Sequence, residues 1–338
     1  MAELMNVSRP HAHNLVRWAS DRSEVLVLSA DLTSSCEADL FRDAYPDRFI
    51  SLGMGEQNMM GFAGGLAREG FRPYVHTFAV FVCRRPFDQV AMSIAYPNLP
   101  VRLLGFLPGI TTPGGVTHQA IDDLALMRTL PNMTVLACGD ATDVESVLDV
   151  AEGIDGPVYV RMLRGEVPRL FSADEPMRLS EWRELCSGDD LLVLTCGICT
   201  GEALSLCQAL NRQGLGIRHL HLSTIKPFPS EQLVEAAAGA RYGVVTMENH
   251  SIIGGLGSAM AEAMADAGLG KKLRRLGLQD TYAHGASREY LMHKYGIDRH
   301  ALLGAVEAMA GRSISLGVDK LSSPKATASA DDAKPEAL

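Results

Sequence analysis

The chain has 338 residues, with 31 Lys and Arg against 40 Asp and Glu and a formal charge of −9, a balance that excludes the basic field a nucleic-acid surface requires. Its length exceeds the usual single-domain size, so two domains are expected, and no stretch reaches the ~20 apolar residues that span a bilayer. Seven scattered cysteines and an N-terminus without an apolar signal core fit a reducing, cytoplasmic location.

Short β-branched runs alternate with longer helical patterns along most of the chain. Asn14–Ser20 reads as a helix leading to a strand at Val25–Leu28. Glu56–Arg68 reads as a helix after a glycine-rich turn, with Gly70 as its stop. Gly64 and Gly65 lower its propensity, which predicts close packing against another backbone. Strands are expected near Tyr74–His76 and Val101–Phe106, with a helix over Phe87–Ala95 between them. A polar loop rich in glycine and proline, Leu107 to Gln119, then leads to a helix at Ile121–Arg128. Such a loop after a strand of an α/β sheet is where sites form. Val135–Ala137 and Val158–Met162 complete a first α/β domain, residues 1–175.

Residues 176–188 read as a linker. The second domain, 189–312, begins with a strand at Leu191–Leu194, a helix at Gly201–Gln213 and a strand at Ile217–Leu220. A turn at Thr224–Pro229, a helix at Glu231–Ala238, a strand at Val244–Thr246 and an alanine-rich helix through Met264 follow. This order implies mostly parallel sheets with right-handed crossovers. Residues 313–338 have little to bury and read as a disordered tail. Cys196 and Cys199 have CxxC spacing but no second pair, so they read as small buried hydrophobes. Neither a GxGxxG nor a GxxxxGK[ST] phosphate cradle is present, and Gly254-Gly-Leu-Gly257, the nearest approach, lacks the spacing.

Four stretches carry candidate chemistry. Glu56, in Gly53-Met-Gly-Glu-Gln57, opens a helix between glycines and apolar residues, where an acid can share a proton with a basic ring nitrogen; a simple helix-dipole partner is the alternative. Phe78 and Phe81 form either core or a wall against a flat ring. His118, in Gly114-Gly-Val-Thr-His-Gln119, can donate to an oxyanion or move a proton near pH 7. Arg161, Arg164 and Arg9 suit an anionic group through their forked donors, with ordinary ion pairing as the alternative.

In this order, GMGEQNMMGFAGGLA, GGVTHQAIDDLALMRTLPNM, the KPFP segment at Lys226–Pro229, MENHSIIGGLGSAMAE and LGLQDTYAHGASREYL resemble the second and third domains of transketolase and 1-deoxyxylulose-5-phosphate synthase, from about Ser8 to Met309. The resemblance implies a pyrimidine-binding α/β domain followed by a transketolase C-terminal domain. It also implies thiamine diphosphate as cofactor and transfer of a two-carbon glycolaldehyde unit from a ketose to an aldose. Glu56 matches the glutamate that hydrogen-bonds N1′ of the aminopyrimidine, Phe81 the ring-stacking phenylalanine with Phe78 beside it, and His118 the substrate-facing histidine. Arg164 matches a phosphate-binding arginine, with Arg9 and Ser35 near its companions.

Family members of full length carry an N-terminal domain whose GDG…N motif holds Mg²⁺ and the diphosphate. That motif is not found here, so a partner subunit carrying it, in an α₂β₂ assembly, is expected. The chain departs from the family at Phe106 and Gly114, where a histidine and an aspartate touch the sugar, and at Arg84, where a tyrosine is usual. Arg84 is therefore a candidate replacement cation at the substrate. These changes imply an unusual sugar, or an anion other than phosphate, because polar pairing discriminates by about 10⁴–10⁵. The rival readings are a 1-deoxyxylulose-5-phosphate-synthase-like activity, a 2-oxoacid dehydrogenase β subunit, and a non-catalytic scaffold subunit.

Overall fold

The structure is a computed structural model that describes residues 5–321. Its strands are β1 (Asn6–Ser8), β2 (Val25–Ser29), β3 (Phe49–Ser51), β4 (Arg72–Phe78), β5 (Arg102–Phe106), β6 (Thr134–Ala137), β7 (Val158–Arg161), β8 (Glu166–Pro168), β9 (Trp182–Cys186), β10 (Leu191–Thr195), β11 (Ile217–Leu222), β12 (Thr224–Lys226), β13 (Gly243–Ser251) and β14 (Leu273–Leu278). Seven form one sheet in the order β12-β6-β7-β5-β4-β2-β3, and five form a second in the order β14-β13-β10-β11-β9. β1 and β8 make a separate antiparallel pair.

The central strands are buried along their whole length, as in β2 and β5. This is why they read as continuous apolar runs, since parallel sheets are covered on both faces. Leu26, Leu28, Val75 and Leu103 face a layer that contains Met59, Met60 and Ala63 of the helix Glu56–Arg68, Ile94 of the π-helix Val90–Ala95, and Leu124 and Met127 of the helix Asp123–Thr129. Val25, Val27, Tyr74 and Leu104 face the other layer, with Leu15 of helix Pro10–Trp18, Phe41 of Asp39–Ala44, and Val144 and Leu148 of Ala141–Glu152. The chain thus crosses from one face to the other between the β2–β3 and β3–β4 connections. The carboxyl ends of the strands beside such a crossing are where α/β folds place their sites.

The first apolar layer continues into the second sheet through Leu192, Leu194, Leu220 and Val244, so the two domains share one core. Gly64 packs as its position in the helix predicts: a Cβ there would lie 2.5 Å from the Ser93 carbonyl oxygen, whereas Gly65 faces open space.

Three boundaries move. The segment read as a linker, 176–188, contains β9, which pairs antiparallel with β11 at the edge of the second sheet. Thr224–Pro229 is not only a turn, because β12 leaves its own domain and pairs with β6. Its Lys226 ammonium donates to the Arg128 carbonyl at 3.0 Å and to that of Leu130. Packing also continues past Ser313. Ile314, Leu316 and Leu321 cover the outer core of the second domain and Val318 is buried, so the apolar residues spaced along 313–321 hold this stretch in place. The rest of the expected tail, 322–338, lies outside the described residues. Among the described residues no helix is long and apolar enough to cross a membrane.

Candidate active site at the carboxyl ends of the first sheet

Each sequence-identified candidate lies at or just beyond the carboxyl end of a parallel strand, except Arg9, which stands at the N-cap position of the first helix. Ser35 follows β2, Glu56 follows β3, Phe81 and Arg84 follow β4, His118 follows β5 and Arg164 follows β7. Two groups result.

In the first group, Glu56 heads its helix and is only 3% exposed. Both its oxygens accept from Nη1 of Arg85, at 3.0 and 3.2 Å. The same guanidinium lies over Phe81, its Cζ 4.2 Å from the ring centre. Phe78 is fully buried and stacks behind Phe81, with centroids 5.9 Å apart and an interplanar angle of 22°. It has no surface to offer a ligand, so its part is to support Phe81. His118 sets its ring edge-on to both phenylalanines, at 5.4 Å from Phe81 and 6.2 Å from Phe78, and pairs Nδ1 with the Thr117 hydroxyl at 2.8 Å. Arg85, which the sequence reading missed, joins the two ring-binding candidates. Its only sequence signal is its place one turn beyond Phe81.

Arg84 is turned to another task. Its Nε donates to both oxygens of Asp122 at 3.0 Å, and its Nη2 to the Gln119 carbonyl at 3.2 Å. It braces the His118 loop rather than offering a free cation.

The second group joins Arg9, Ser35 and Arg164. The Arg9 amide donates to the Gly165 carbonyl at 2.8 Å, and Arg164 Nη1 donates to the Ser35 carbonyl at 3.0 Å. The Arg9 side chain pairs with Asp39. Beneath them Glu37 accepts from the amides of Gly165 at 2.6 Å and Ala12 at 3.2 Å. Burial pushes the Glu37 carboxyl above the usual range, against the pull of those amides and of the Arg9 and Arg164 charges.

Phe106 ends the central strand β5, fully buried, against two imidazoles: edge-on to His11 at 5.5 Å and stacked on His76 at 6.0 Å. Those two histidines share a contact of 2.9 Å between their Nε2 atoms. Burial pushes His76 down to about 4 and, with His76 beside it, His11 well below the usual histidine range, so both are neutral at pH 7. Phe106 is a core residue here. A third imidazole in its place would need a further buried polar partner.

The glycine-rich segment Gly254–Gly257 resolves differently. It opens the helix Leu256–Asp266, but the fully buried Glu248 already occupies that end, accepting from the amides of Leu256 at 2.7 Å and Gly257 at 2.8 Å. The anion site of this helix start is filled by the chain's own carboxylate. Among the described residues, no group of three or more His, Cys, Asp or Glu is placed to hold a metal ion. Cys196 and Cys199 are buried free thiols, and burial pushes Cys196 up to about 12, which makes it inert at neutral pH.

Fold and site together describe a two-domain α/β protein whose candidate residues gather at the strand ends of its first sheet. Residues 5–169 match the pyrimidine-binding domain of transketolase and residues 180–302 match the transketolase C-terminal domain. This chain belongs to the transketolase family. It is 36% identical over 300 residues to an uncharacterised transketolase family protein of Sinorhizobium fredii, covering 88% of this chain and 87% of that one. It is also 36% identical over 301 residues to a 6-deoxy-6-sulfo-D-fructose transketolase subunit of a Clostridium species, covering 88% of this chain and 92% of the relative. A solved structure described as a split gene transketolase, an inactive β4 tetramer, superposes with a TM-score of 0.82 at 36% identity, over 90% of this chain and 98% of that one.

Proposed function

We propose that this chain is one subunit of a two-chain, thiamine-diphosphate-dependent transketolase that moves a two-carbon glycolaldehyde unit from a ketose to an aldose. The observation that carries the reading is the span of Arg85. One flat cationic group touches the buried Glu56 carboxylate with its N–H and the Phe81 face with its plane. A carboxylate at the edge and a phenyl ring at the face fit an aminopyrimidine in the same way.

When bound, the cofactor supplies the nucleophilic carbon and the electron sink, chemistry that side chains lack. Glu56 then holds a proton at the ring's N1′, and its burial keeps water from competing for that hydrogen bond. Phe81, backed by Phe78, sets the plane of the ring. His118, oriented by Thr117, donates to or takes a proton from a substrate oxygen. Arg9, Ser35 and Arg164 line the place for the anionic end of the sugar, where a guanidinium fork suits phosphate or sulfonate alike. The sulfosugar named for the Clostridium relative is consistent with the second choice.

A second polypeptide with a GDG…N motif completes the site in this reading, holding Mg²⁺ and the diphosphate in an α₂β₂ assembly. The split-gene relatives support it. So does Glu248, which leaves the glycine-rich helix start of this chain without room for a phosphate.

The test is co-expression with a candidate partner chain and an assay of ketose-to-aldose transfer, with pyruvate decarboxylation as the competing activity. Glu56→Gln in the assembled enzyme is expected to abolish exchange of the cofactor's C2 proton, read by NMR. Normal exchange in that variant removes Glu56 from this role.

A further inference from the structure

The loop that carries His118 belongs to the first domain, yet its two ends are held by the second. At its start, the Asn249 side chain accepts from the Ile110 amide at 3.0 Å and donates to the Pro108 carbonyl at 3.1 Å. It thereby satisfies backbone groups on both sides of Gly109. Gly109 sits at φ +66°, and a Cβ there would lie 2.3 Å from the Asn249 amide group, so the two surfaces are matched without spare room. Asn249 is itself only 2% exposed. Near the loop's end, Gln119 donates to the His284 carbonyl at 3.3 Å, and Gly115 lies against Gly285. Between these anchors the segment turns back on itself, with the His118 amide bonded to the Gly115 carbonyl at 2.9 Å.

We propose that Asn249 is a positioning residue for His118, through which the second domain sets the shape of the active-site loop. The proposal rests on the reading that His118 faces the substrate. A side-chain amide suits this task, because its oxygen accepts from one peptide N–H while its NH₂ donates to a carbonyl two residues earlier. A carboxylate can accept from Ile110 but repels the Pro108 carbonyl. The domain interface does not depend on this side chain. Arg161 reaches the second domain through the Asn249 main-chain carbonyl, at 3.2 Å, and keeps its ion pair with Asp123 whatever side chain stands at 249. Loosening the loop start displaces a catalytic side chain without removing it, and a misplacement of about 1 Å can cost about a hundredfold in rate.

The experiment uses the assembled two-chain enzyme and a double-mutant cycle of Asn249→Ala with His118→Ala. Asn249→Ala is expected to lower kcat/KM for the ketose about ten- to a hundredfold, while affinity for thiamine diphosphate stays within twofold. The double variant should be no worse than His118→Ala alone, because the loss passes through that residue. Hydrogen exchange of the Ile110 amide, measured in the chain by itself, should rise in the same variant. If Asn249→Ala does not fold, Gly109→Ala strains the same contact from the loop side and should reproduce the kinetic pattern. Fully additive losses, or a fall in cofactor affinity that accounts for the lost activity, overturn the positioning role while leaving His118 at the substrate. A His118→Ala variant with unchanged kcat/KM overturns both readings.

Discussion

Arg85 and Glu56 form an ion pair beside the face of Phe81: the guanidinium donates to both carboxylate oxygens, at 3.0 and 3.2 Å, while covering the phenyl ring. A heterocycle that uses Glu56 and Phe81 displaces it. The Arg85 side chain is half exposed, so solvent lowers the cost of release, and the pair and the cation–π contact together amount to about 1–2 kcal/mol. Arg85→Ala is therefore expected to tighten thiamine diphosphate binding roughly tenfold in the assembled enzyme, measured by fluorescence titration at saturating Mg²⁺. Weaker binding would show that Arg85 holds the cofactor rather than its place.

Arg161 and Asp123, both in the first domain, form a deeply buried ion pair, with side chains 3% and 0% exposed. Burial alone would raise the Asp123 carboxyl, but the Arg161 guanidinium overrides it and holds it below the usual range. Asp123 also accepts from the Tyr159 hydroxyl at 2.5 Å. Asp123→Asn leaves a buried guanidinium uncompensated and should cost about 3–5 kcal/mol. Urea denaturation provides the check, and a loss under about 1 kcal/mol would mean that water reaches the pair.

Stability should fall in mild acid because of the buried histidines. Burial pushes His76 to about 4 and His219 to about 3, far below the ordinary histidine value. Between that ordinary value and the folded-state value, the unfolded chain binds a proton that the folded chain refuses. The stabilisation is whole above about pH 6.5 and is lost progressively as the pH drops toward 4. Calorimetry should show Tm falling across this window. His219→Leu, which gives up the 2.9 Å contact with the Thr195 hydroxyl, should show a shallower slope at a lower starting Tm. An unchanged slope would place the acid sensitivity elsewhere.

The stretch after Ser313 provides a separate test of packing. Arg299 Nη1 donates to the Leu321 carbonyl at 2.8 Å, and the Ile314 amide donates to Glu307 at 2.6 Å. Ending the chain after Arg312 removes these bonds together with the apolar contacts of Ile314, Leu316, Val318 and Leu321. A loss of about 2–4 kcal/mol is expected, seen as a lower urea midpoint. A chain ending after Leu321 retains every one of these contacts and is the reference. Equal midpoints for the two would restore the tail boundary at Ser313.

Much of the fold is legible because burial leaves a periodic trace. Val25–Leu28 and Leu191–Leu194 are continuous apolar runs since both faces of a parallel strand are covered, and Glu56–Arg68 shows its core face through Met59, Met60 and Ala63. β3, with three residues, leaves too little pattern, and β14 is masked because Arg274 and Arg275 interrupt its apolar run. Thr224–Lys226 misled for a different reason: three residues before a proline look like a turn, and only the exposed edge of β6 makes them a strand. In the site, Glu56 and His118 were visible because a helix start and a glycine-rich loop are local features. The parts played by Arg84 and Phe78 were not.

By itself the sequence determined the alternation of strands and helices, the division into two α/β domains, and the segments from which a site would be drawn. These depend on near neighbours, whose spacing along the chain reports which side faces the core. The tertiary structure alone decided the partners: Arg85 on Glu56, Glu248 in the glycine-rich helix start, β12 in the other domain's sheet, and Asn249 gripping a loop 139 residues away. A charge or a backbone amide takes whichever complementary group the packing brings within hydrogen-bond reach, and that choice is made across the fold, not along the chain.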